Sequence, residues 1–211
     1  MKKCLELCCG TKSVGKVFEF HGWEVVSVDT EKRFKPTILS SILDLPDDIG
    51  KGFDFIWASP PCKIFSIANN SERDLVGASE LVLKCLKIIQ NSGPKTLWCL
   101  ENPSTGLLKT MPFMQGLDSC VVSYCKYSEG DWGKYRKNTQ LWNNVDLHLL
   151  KCKYDCVHCY KENGRWRHID HAQHGCKAQG RTFTTTELYR IPPKLIEAIY
   201  EAISSRVRME S

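Results

Sequence analysis

The sequence predicts an α/β domain with a largely parallel central sheet, and three observations support this class. Short apolar runs alternate with amphipathic stretches over the first two thirds of the chain, which is the pattern of βα units. The first apolar run leads into a glycine-containing turn. Two later runs end in a proline-rich or an acidic loop, and ligands bind at the carboxyl ends of the strands in such sheets.

The predicted elements follow in chain order. Strands are expected at residues 3–7, 23–28, 53–58 and 96–100, and helices at residues 14–21 and 80–90. The tripeptide Glu-Asn-Pro at 101–103 is expected to end the fourth strand, because proline lacks the N–H group that a central strand needs. The prolines at positions 192 and 193 start a final helix.

Three segments divide the chain of 211 residues, a length that fits one domain with a small appendage. Residues 1–150 form the main domain. Residues 151–181 are rich in Cys, His, Lys, Arg and Gly, and they have almost no periodic apolar pattern, so they are not expected to form their own core. Residues 182–211 carry the final helix, which is expected to pack back on the main domain.

Cysteine usage and charge bound the classes of function. The twelve cysteines are not spaced as a disulfide framework, the first residues lack a long apolar region, and no segment approaches the roughly 20 apolar residues that span a bilayer. We therefore expect a reduced, soluble, intracellular protein of the cytoplasm or nucleus, in which clustered cysteines bind a metal. The net charge of +5 permits a polyanionic partner without requiring one.

The stretch LELCCGTKSVGKVFEFHGWEVVSVD reads as a strand, a glycine-containing turn, a helix, a second strand and an acid. Gly10 and Ser13 lie where the chain leaves the sheet, so a cofactor can rest against the backbone there. Asp29 can accept hydrogen bonds from a ribose diol, and Asp44 can reach the amine of an adenine. The alternative is that the glycine and the acids only turn and cap the chain.

A cysteine follows two prolines in the stretch WASPPCKIFSIAN. Pro60 and Pro61 fix the backbone, so Cys62 is held rigidly at the carboxyl end of a buried strand. Its thiol becomes a strong nucleophile if a helix N-terminus or a cation such as Lys63 stabilises the thiolate. Glu101 ends the next strand and is expected at the same sheet edge, where its carboxyl can hydrogen-bond a ring nitrogen. The alternatives are a small buried cysteine and a strand-terminal acid bonded to loop amides.

These motifs resemble those of the DNA cytosine-C5 methyltransferases. LELCCGTKSVG resembles the first cofactor motif of that family, and SPPCKIFS resembles its nucleophile loop, usually written Pro-Cys-Gln-x-Phe-Ser. The tripeptide ENP resembles the Glu-Asn-Val/Pro motif. The resemblance covers residues 3–145, and residues 189–199 resemble the region that follows the recognition domain.

The sequence departs from the family in three places. Lys63 replaces the usual glutamine after the cysteine. The Gln-x-Arg-x-Arg motif is not present as such, and GKYRKNTQLWNN is its nearest counterpart, so Arg136, Lys137 and Thr139 are assigned its role. The large target-recognition domain is missing, and the Cys/His segment occupies its place.

The resemblance implies a Rossmann-like S-adenosylmethionine-dependent methyltransferase fold and a catalytic domain at residues 1–150. It implies cofactor contacts from Leu7, Cys9, Gly10, Thr11, Ser13, Asp29, Asp44 and Pro60, and a catalytic set of Cys62, Glu101, Arg136 and Lys137. The partner is double-stranded DNA, from which a cytosine is flipped into the pocket. The Cys62 thiolate adds to C6, Glu101 hydrogen-bonds N3, and C5 takes the methyl group. We expect a monomer that has no membrane partner. Compact enzymes of this kind occur in viruses, phages and bacteria, so the sequence leaves these three origins open.

The stretch CKYDCVHCYKENGRWRHIDHAQHGC predicts a structural zinc site, since Cys/His supply at such spacings suits tetrahedral zinc. The predicted ligands are Cys152, Cys156 and Cys159, with a fourth from His168, or alternatively Cys176 or His171. The alternative is a reduced, metal-free loop. A basic cluster with an aromatic residue is expected to contact phosphates. Because the segment offers few side chains that can read bases, we expect short or relaxed sequence specificity. The cluster comprises Arg165, Trp166, Arg167, His168, Lys177 and Arg181.

Two kinds of function compete with the DNA hypothesis: a methyltransferase that acts on RNA or on an amino group, and a protein without catalytic activity. RNA C5 methyltransferases use a second cysteine for product release, and Cys99 is the candidate here, whereas Glu101-Asn102 favours DNA. Amino-group methyltransferases place an aromatic residue after the proline turn, and Cys62 argues against them. A catalytically inactive nucleic-acid-binding protein is the other rival, and the joint presence of Cys62 and Glu101 argues against it.

Overall fold

A seven-stranded sheet forms the centre of the molecule in a computed structural model that describes residues 1–66, 74–130, 133–172 and 183–209. Its strands are β1 (Lys3–Leu7), β2 (Glu24–Asp29), β3 (Ile38–Leu39), β4 (Phe55–Ala58), β5 (Leu97–Pro103), β6 (Ser119–Ser123) and β8 (Asn138–Asn143), with the short β7 (Tyr135–Arg136) outside the sheet. The order is β3-β2-β1-β4-β5-β8-β6. The first five are parallel, and β8 runs antiparallel to both of its neighbours.

Helices cover both faces of this sheet. They are α1 (Ser13–Phe20), α2 (Leu75–Ser92), α3 (Thr185–Tyr189) and α4 (Pro193–Met209). Successive side chains of β4 point to opposite faces: Trp57 belongs to the core under α1 and α4, and Ile56 to the core under α2. Both residues are fully buried, as expected of a parallel strand covered on both sides.

Two elements differ most from the sequence prediction. The second helix begins earlier, at Leu75, because the Asp74 side chain caps it by accepting a hydrogen bond from Gly77 N at 2.8 Å. The prediction that residues 101–103 break the fourth strand was wrong, since β5 continues through Pro103. Residues Cys99 to Pro103 pair antiparallel with β8, and the proline falls at the last position of the strand, where it interrupts least.

The C-terminal part returns to the face that carries α1. Thr184 and Glu187 form a reciprocal capping box that starts α3, and α4 begins at Pro193 as predicted. The α4 helix packs against α1, and its Glu197 side chain lies 2.7 Å from His21 Nε2. The division into segments at residues 150 and 181 stays a prediction.

Residues 151–172 form a small insert beside the sheet. Its hairpin comprises β9 (Cys159–Glu162) and β10 (Arg165–His168), and β11 (Asp170–His171) pairs parallel with β7. The hairpin turn is Asn163-Gly164, with φ values of 48° and 76°, which is the left-handed pair that a type I′ turn requires. Among the described residues, no helix is both long and apolar enough to cross a membrane.

Candidate active site

A cavity of about 300 Å³ opens at the carboxyl ends of the parallel strands. It lies where the strand order reverses, between β1 and β4, which is where open α/β sheets bind ligands. Its walls bring together residues from distant parts of the chain, among them Gly10, Asp29, Cys62, Glu101 and Lys137.

The turn after β1 is fixed by its own backbone and by Asp29. Gly10 adopts a φ of 46°, and its N–H donates to Asp29 Oδ2 at 2.8 Å. The other oxygen, Oδ1, accepts the N–H of Glu31 at 2.9 Å. Because a carboxylate oxygen can accept more than one hydrogen bond, Asp29 keeps capacity for a ligand hydroxyl.

Glu6 is a buried carboxyl in the cavity wall that the sequence analysis missed. It accepts the N–H groups of Val14 and Gly15 at 3.2 and 3.1 Å and so caps α1. Burial raises the pKa of Glu6 to about 8, against the opposing effect of those two N–H groups. The available signal was an acid within an otherwise apolar strand, LEL, immediately before the glycine turn.

The predicted cofactor residues divide between the cavity and its surroundings. Those that line the cavity are Cys9, Gly10, Ser13, Asp29 and Pro60. Leu7 is buried in the core, and Thr11 lines a neighbouring surface depression, with its hydroxyl 2.9 Å from that of Ser13. Asp44 is exposed on the 3-10 turn Ile42–Asp44, whose residues Ile42 and Leu43 line the cavity.

The cavity also has apolar walls that no motif indicated. Phe34, Leu43 and Leu81 contribute to them, as do Tyr189 and Ile191 from the segment before α4. These residues come from separate elements, so only the fold brings them together.

The loop that carries Cys62 is clamped on both sides of the cysteine. The side chain of Asn102, which is fully buried, donates from Nδ2 to the Pro60 carbonyl at 3.0 Å. Beyond the cysteine, Phe65 is fully buried, and its carbonyl accepts the Leu107 N–H at 2.8 Å. Cys62 itself is half-buried and faces the cavity.

Four effects set the protonation of Cys62. Burial raises the pKa of its thiol, the positive charge of Lys137 lowers that pKa, and the negative charge of Glu101 raises it. A hydrogen bond from the backbone N–H of Cys62 also lowers the pKa. The sequence analysis named Lys63 as the cation, but Lys63 is exposed and Lys137 acts on the thiol. Lys137 Nζ donates to the Leu188 carbonyl at 3.0 Å and lies 4.8 Å from the centre of the Tyr124 ring.

Glu101 is buried, with 8% of its surface exposed, and lines the same cavity as Cys62. The Tyr124 hydroxyl donates to Glu101 Oε1 at 3.5 Å. Burial raises the pKa of Tyr124 well above its usual value, and the negative charge of Glu101 raises it further, so this hydroxyl stays protonated as a donor.

Arg136 and Thr139 lie apart from the cavity lining. The Arg136 guanidinium lies over the Tyr154 ring, 4.4 Å from its centre, and donates to the Tyr154 hydroxyl. Arg136 therefore contacts the insert in this structure, while its neighbour Lys137 lines the cavity. Thr139 is fully buried on β8. The catalytic role assigned to Arg136 stays a prediction.

The Cys/His segment contributes to a second cluster. Ligand atoms of Cys125, Cys152, Cys156 and His168 all lie within 4.8 Å of one another, so the structure brings together three predicted ligands and one that was missed. The predicted ligand Cys159 lies beside this group, with its Sγ 3.4 Å from that of Cys156. The Cys176 residue and the His171 side chain lie outside the described part of the chain.

The predicted basic cluster lies partly on the hairpin of the insert. Arg165 is exposed, Trp166 is 54% exposed, and Arg167 is paired with Glu162 at 2.6 Å. His168 is instead buried with the cysteines. Lys177 and Arg181 lie outside the described residues.

Comparison with known proteins agrees with this geometry. The model of the C-5 cytosine-specific DNA methylase family matches residues 13–111. A protein of Frog virus 3 (isolate Goorha), described as "Probable DNA (cytosine-5)-methyltransferase", is 33% identical over 216 residues, which cover 92% of this chain and 96% of the viral protein.

Two solved structures are also similar to the chain. The S. pombe Dnmt2 methyltransferase gives a TM-score of 0.49 at 11% identity, covering 73% of this chain and 52% of that one. A Spodoptera frugiperda DNMT2 mutant gives a TM-score of 0.44 at 16% identity, and the match covers 72% of this chain and 54% of the mutant. The chain spans about half the length of these two proteins. At these scores the likeness carries no information about substrate.

The predicted fold class is confirmed, since α/β units build a mostly parallel sheet with the cavity at its carboxyl edge. The predicted resemblance is confirmed as well, because the viral relative matches over nearly the whole length of both chains. The chain therefore belongs to the family of C-5 cytosine-specific DNA methylases.

Proposed function

We propose that this protein transfers a methyl group from S-adenosylmethionine to C5 of cytosine in DNA, through a covalent adduct with Cys62. The observation that carries the proposal is the convergence of Cys62, Glu101 and Lys137 on one cavity that is continuous with the Gly10–Asp29 turn. A nucleophile, an acid and a cation are the groups that addition to a pyrimidine ring requires.

The residues at the glycine turn suit the proposed cofactor. The backbone at Gly10 is open, since a Cβ atom built there meets no atom within 4 Å. Asp29 can accept hydrogen bonds from a ribose, and the apolar walls from Phe34 and Leu43 suit an adenine ring. When bound, S-adenosylmethionine supplies an electrophilic methyl group. Direct contacts from Leu7, Thr11 and Asp44 remain proposals.

The chain's own residues would then act on the base. Lys137 stabilises the Cys62 thiolate, which forms a bond to C6 of a flipped cytosine. Glu101, as the acid, donates to N3 and stabilises the electron-rich C5 that results. After C5 has gained its methyl group, it loses its proton to water, and the bond from Cys62 to C6 breaks to restore the ring and the thiolate. We also propose that the partner is double-stranded DNA and that the enzyme is a monomer.

The exposed hairpin of the insert is proposed as the DNA contact. Arg165 and Trp166 offer a cation and an aromatic surface, which suit phosphates and bases. Few base-reading side chains are available there, so short or relaxed sequence specificity is expected.

The position of Cys99 argues against the RNA alternative in its two-cysteine form. Cys99 is fully buried in the core that contains Trp57 and is not part of the cavity lining. It cannot reach a base bound beside Cys62 without rearrangement of β5, so release by a second thiol at that position is disfavoured.

Methyl transfer from labelled S-adenosylmethionine to DNA and to RNA, followed by nucleoside analysis, tests the proposal. We expect 5-methylcytosine from DNA, no product with Cys62→Ser, and unchanged cofactor binding by that variant in calorimetry. Cys120→Ser, which removes a thiol outside the cavity lining, is the matched control and should stay active. Label only in RNA, or full activity of Cys62→Ser, would overturn the proposal.

A further inference from the structure

Four metal-binding side chains converge from two separate parts of the molecule. Cys125 belongs to the 3-10 turn Tyr124–Tyr127, which follows β6 of the central sheet. Cys152, Cys156 and His168 belong to the insert. Three of the four are buried, and Cys156 is half-buried. Because the three thiols and the imidazole come from two separate segments, a cysteine-rich loop alone does not account for the cluster, and the four groups are suited to bind one metal ion.

The distances suit a tetrahedral ion. The Sγ of Cys156 lies 3.0 Å from His168 Nε2, and all four ligand atoms lie within 4.8 Å of one another. In a zinc site with sulfur bonds of about 2.3 Å, two sulfur ligands are about 3.8 Å apart. The observed spacing therefore needs only small side-chain adjustments to surround one ion.

A backbone turn and a cation lie close to Cys152. Tyr154 adopts a φ of 64°, so the chain turns sharply two residues after Cys152. Lys126 adds a positive charge nearby, with its Nζ 3.1 Å from Asp155 Oδ2. A nearby cation compensates the negative charge of a metal bound by several thiolates.

We propose that Cys125, Cys152, Cys156 and His168 bind one structural zinc ion that fastens the insert to the catalytic sheet. Zinc is the favoured metal because three thiolates and one imidazole in a closed, tetrahedral arrangement are typical of structural zinc sites. The site differs from the sequence prediction in one ligand, because Cys125 of the central domain takes the place of Cys159, while the predicted fourth ligand His168 is retained. Cys159 stays outside the coordination shell.

The position of Cys125 links this site to the proposed active site, and this step rests on the proposed function. Tyr124, the residue before Cys125, donates to Glu101. Ser123 donates to Asn138 Oδ1 at 2.7 Å and accepts the N–H of Cys152 at 2.9 Å. A metal that holds Cys125 therefore holds the turn that positions Glu101, which makes Cys125 a positioning residue.

Zinc content of the purified full-length protein tests the ligand set. We expect about one zinc per chain in the wild type and in Cys159→Ser, and loss of zinc in Cys125→Ser. The Cys159→Ser variant is a strict control, because its sulfur lies next to the cluster. A metal-free wild-type protein, zinc retained by Cys125→Ser, or zinc lost from Cys159→Ser would each overturn the proposed site.

Cobalt substitution covers the case in which Cys125→Ser does not fold. Cobalt added to chelator-treated wild-type protein should give the absorption bands of a tetrahedral ion with three thiolate ligands, and an octahedral or four-thiolate spectrum would contradict the assignment. Chelation should also lower the rate of methyl transfer by tenfold or more, with recovery on zinc addition. An unchanged rate after zinc loss would refute the link to Glu101. Because zinc content and spectra need no substrate, the site is tested even if the proposed reaction is wrong.

Discussion

The reactivity of Cys62 depends on a balance between burial and one cation. Burial and Glu101 both raise the pKa of its thiol, and the positive charge of Lys137 lowers that pKa. Lys137 lies between β7 and β8, far along the chain from the cysteine. The neighbouring Lys63 is exposed and also lines the cavity, but the cation that lowers this pKa is Lys137, so proximity in sequence indicated the wrong cation.

Substituting Lys137 by methionine should raise the pKa of the Cys62 thiol, because the stabilising charge is lost and burial remains. We expect slower alkylation of Cys62 at neutral pH and a shift of its alkylation profile to higher pH, measured by mass spectrometry of the modified peptide. Lys63→Met is the matched control and should leave the profile in place. Equal effects of both substitutions would contradict the role of Lys137.

Glu6 should make the stability of the protein depend on pH. Its pKa is about 8 in the folded protein and 4.5 as the ordinary value, so between these limits the unfolded chain releases a proton that the folded chain keeps. The contribution of Glu6 to the free energy of unfolding is therefore fully present below about pH 4.5. It falls as the pH rises toward 8, by up to about 1.4 kcal/mol per pH unit. Glu6→Gln keeps an acceptor for Val14 and Gly15 but cannot ionise.

Urea unfolding between pH 5 and 8 measures this effect. The Glu6→Gln variant should give a flatter dependence of the free energy of unfolding on pH than the wild type. Identical slopes in the two proteins would show that Glu6 does not titrate as its burial implies.

At the scale of elements, β5 connects the two halves of the site. Its Glu101 faces the cavity, and the next residue, Asn102, holds the loop that carries Cys62. Continuous pairing with β8 through Pro103 gives these side chains a rigid base. The strand thus positions both the proposed acid and the proposed nucleophile.

Replacing Asn102 by aspartate should loosen the Cys62 loop, because a carboxylate cannot donate to the Pro60 carbonyl. Leaving that buried carbonyl unpaired costs about 1–3 kcal/mol. We expect lower stability and a fall in kcat on the order of tenfold or more, with little change in cofactor affinity. Asn144→Asp is the control, since Asn144 makes two hydrogen bonds at an exposed position. An unchanged kcat in Asn102→Asp would contradict the clamp.

Local sequence patterns predicted where the strands and helices lie better than they predicted the residues at which each one begins and ends. The strands at residues 3–7 and 53–58 and the helix at 14–21 were close, because burial on both faces of a parallel sheet leaves continuous apolar runs. The continuation of β5 was not predictable from Pro103 alone, since it depends on pairing with the distant β8. The β9–β10 hairpin was predictable, because Asn163-Gly164 is a strong signal for a type I′ turn.

In the molecule as a whole, the insert of residues 151–172 is connected to the central part of the protein in several ways. The pairing of β11 with β7, the contact of Arg136 with Tyr154 and the shared Cys/His cluster all connect it to the central domain. Cys125 could not be assigned from spacing, because it lies far from the other ligands in sequence and only the fold brings it near.

Removing the exposed surface of the insert should weaken DNA binding without altering the chemistry. For Arg165→Ala combined with Trp166→Ala, we expect a higher KM for DNA on every sequence tested and a nearly unchanged kcat. The slope of log affinity against log salt concentration should fall by the equivalent of about one phosphate contact. Lys51→Ala, which removes an exposed lysine away from the cavity, is the control. Unchanged affinity and salt dependence would place the DNA contact elsewhere.

The most direct test of the account is covalent trapping of Cys62 on DNA that contains 5-fluorocytosine, in the presence of S-adenosylmethionine. Fluorine at C5 cannot leave as a proton, so the bond between the Cys62 sulfur and C6 should persist after the methyl group is added. We predict a stable complex whose cross-linked peptide contains Cys62, and no complex with Cys62→Ser. Methylation of ordinary DNA without any trapped species, or a cross-link at another cysteine, would contradict the central claim.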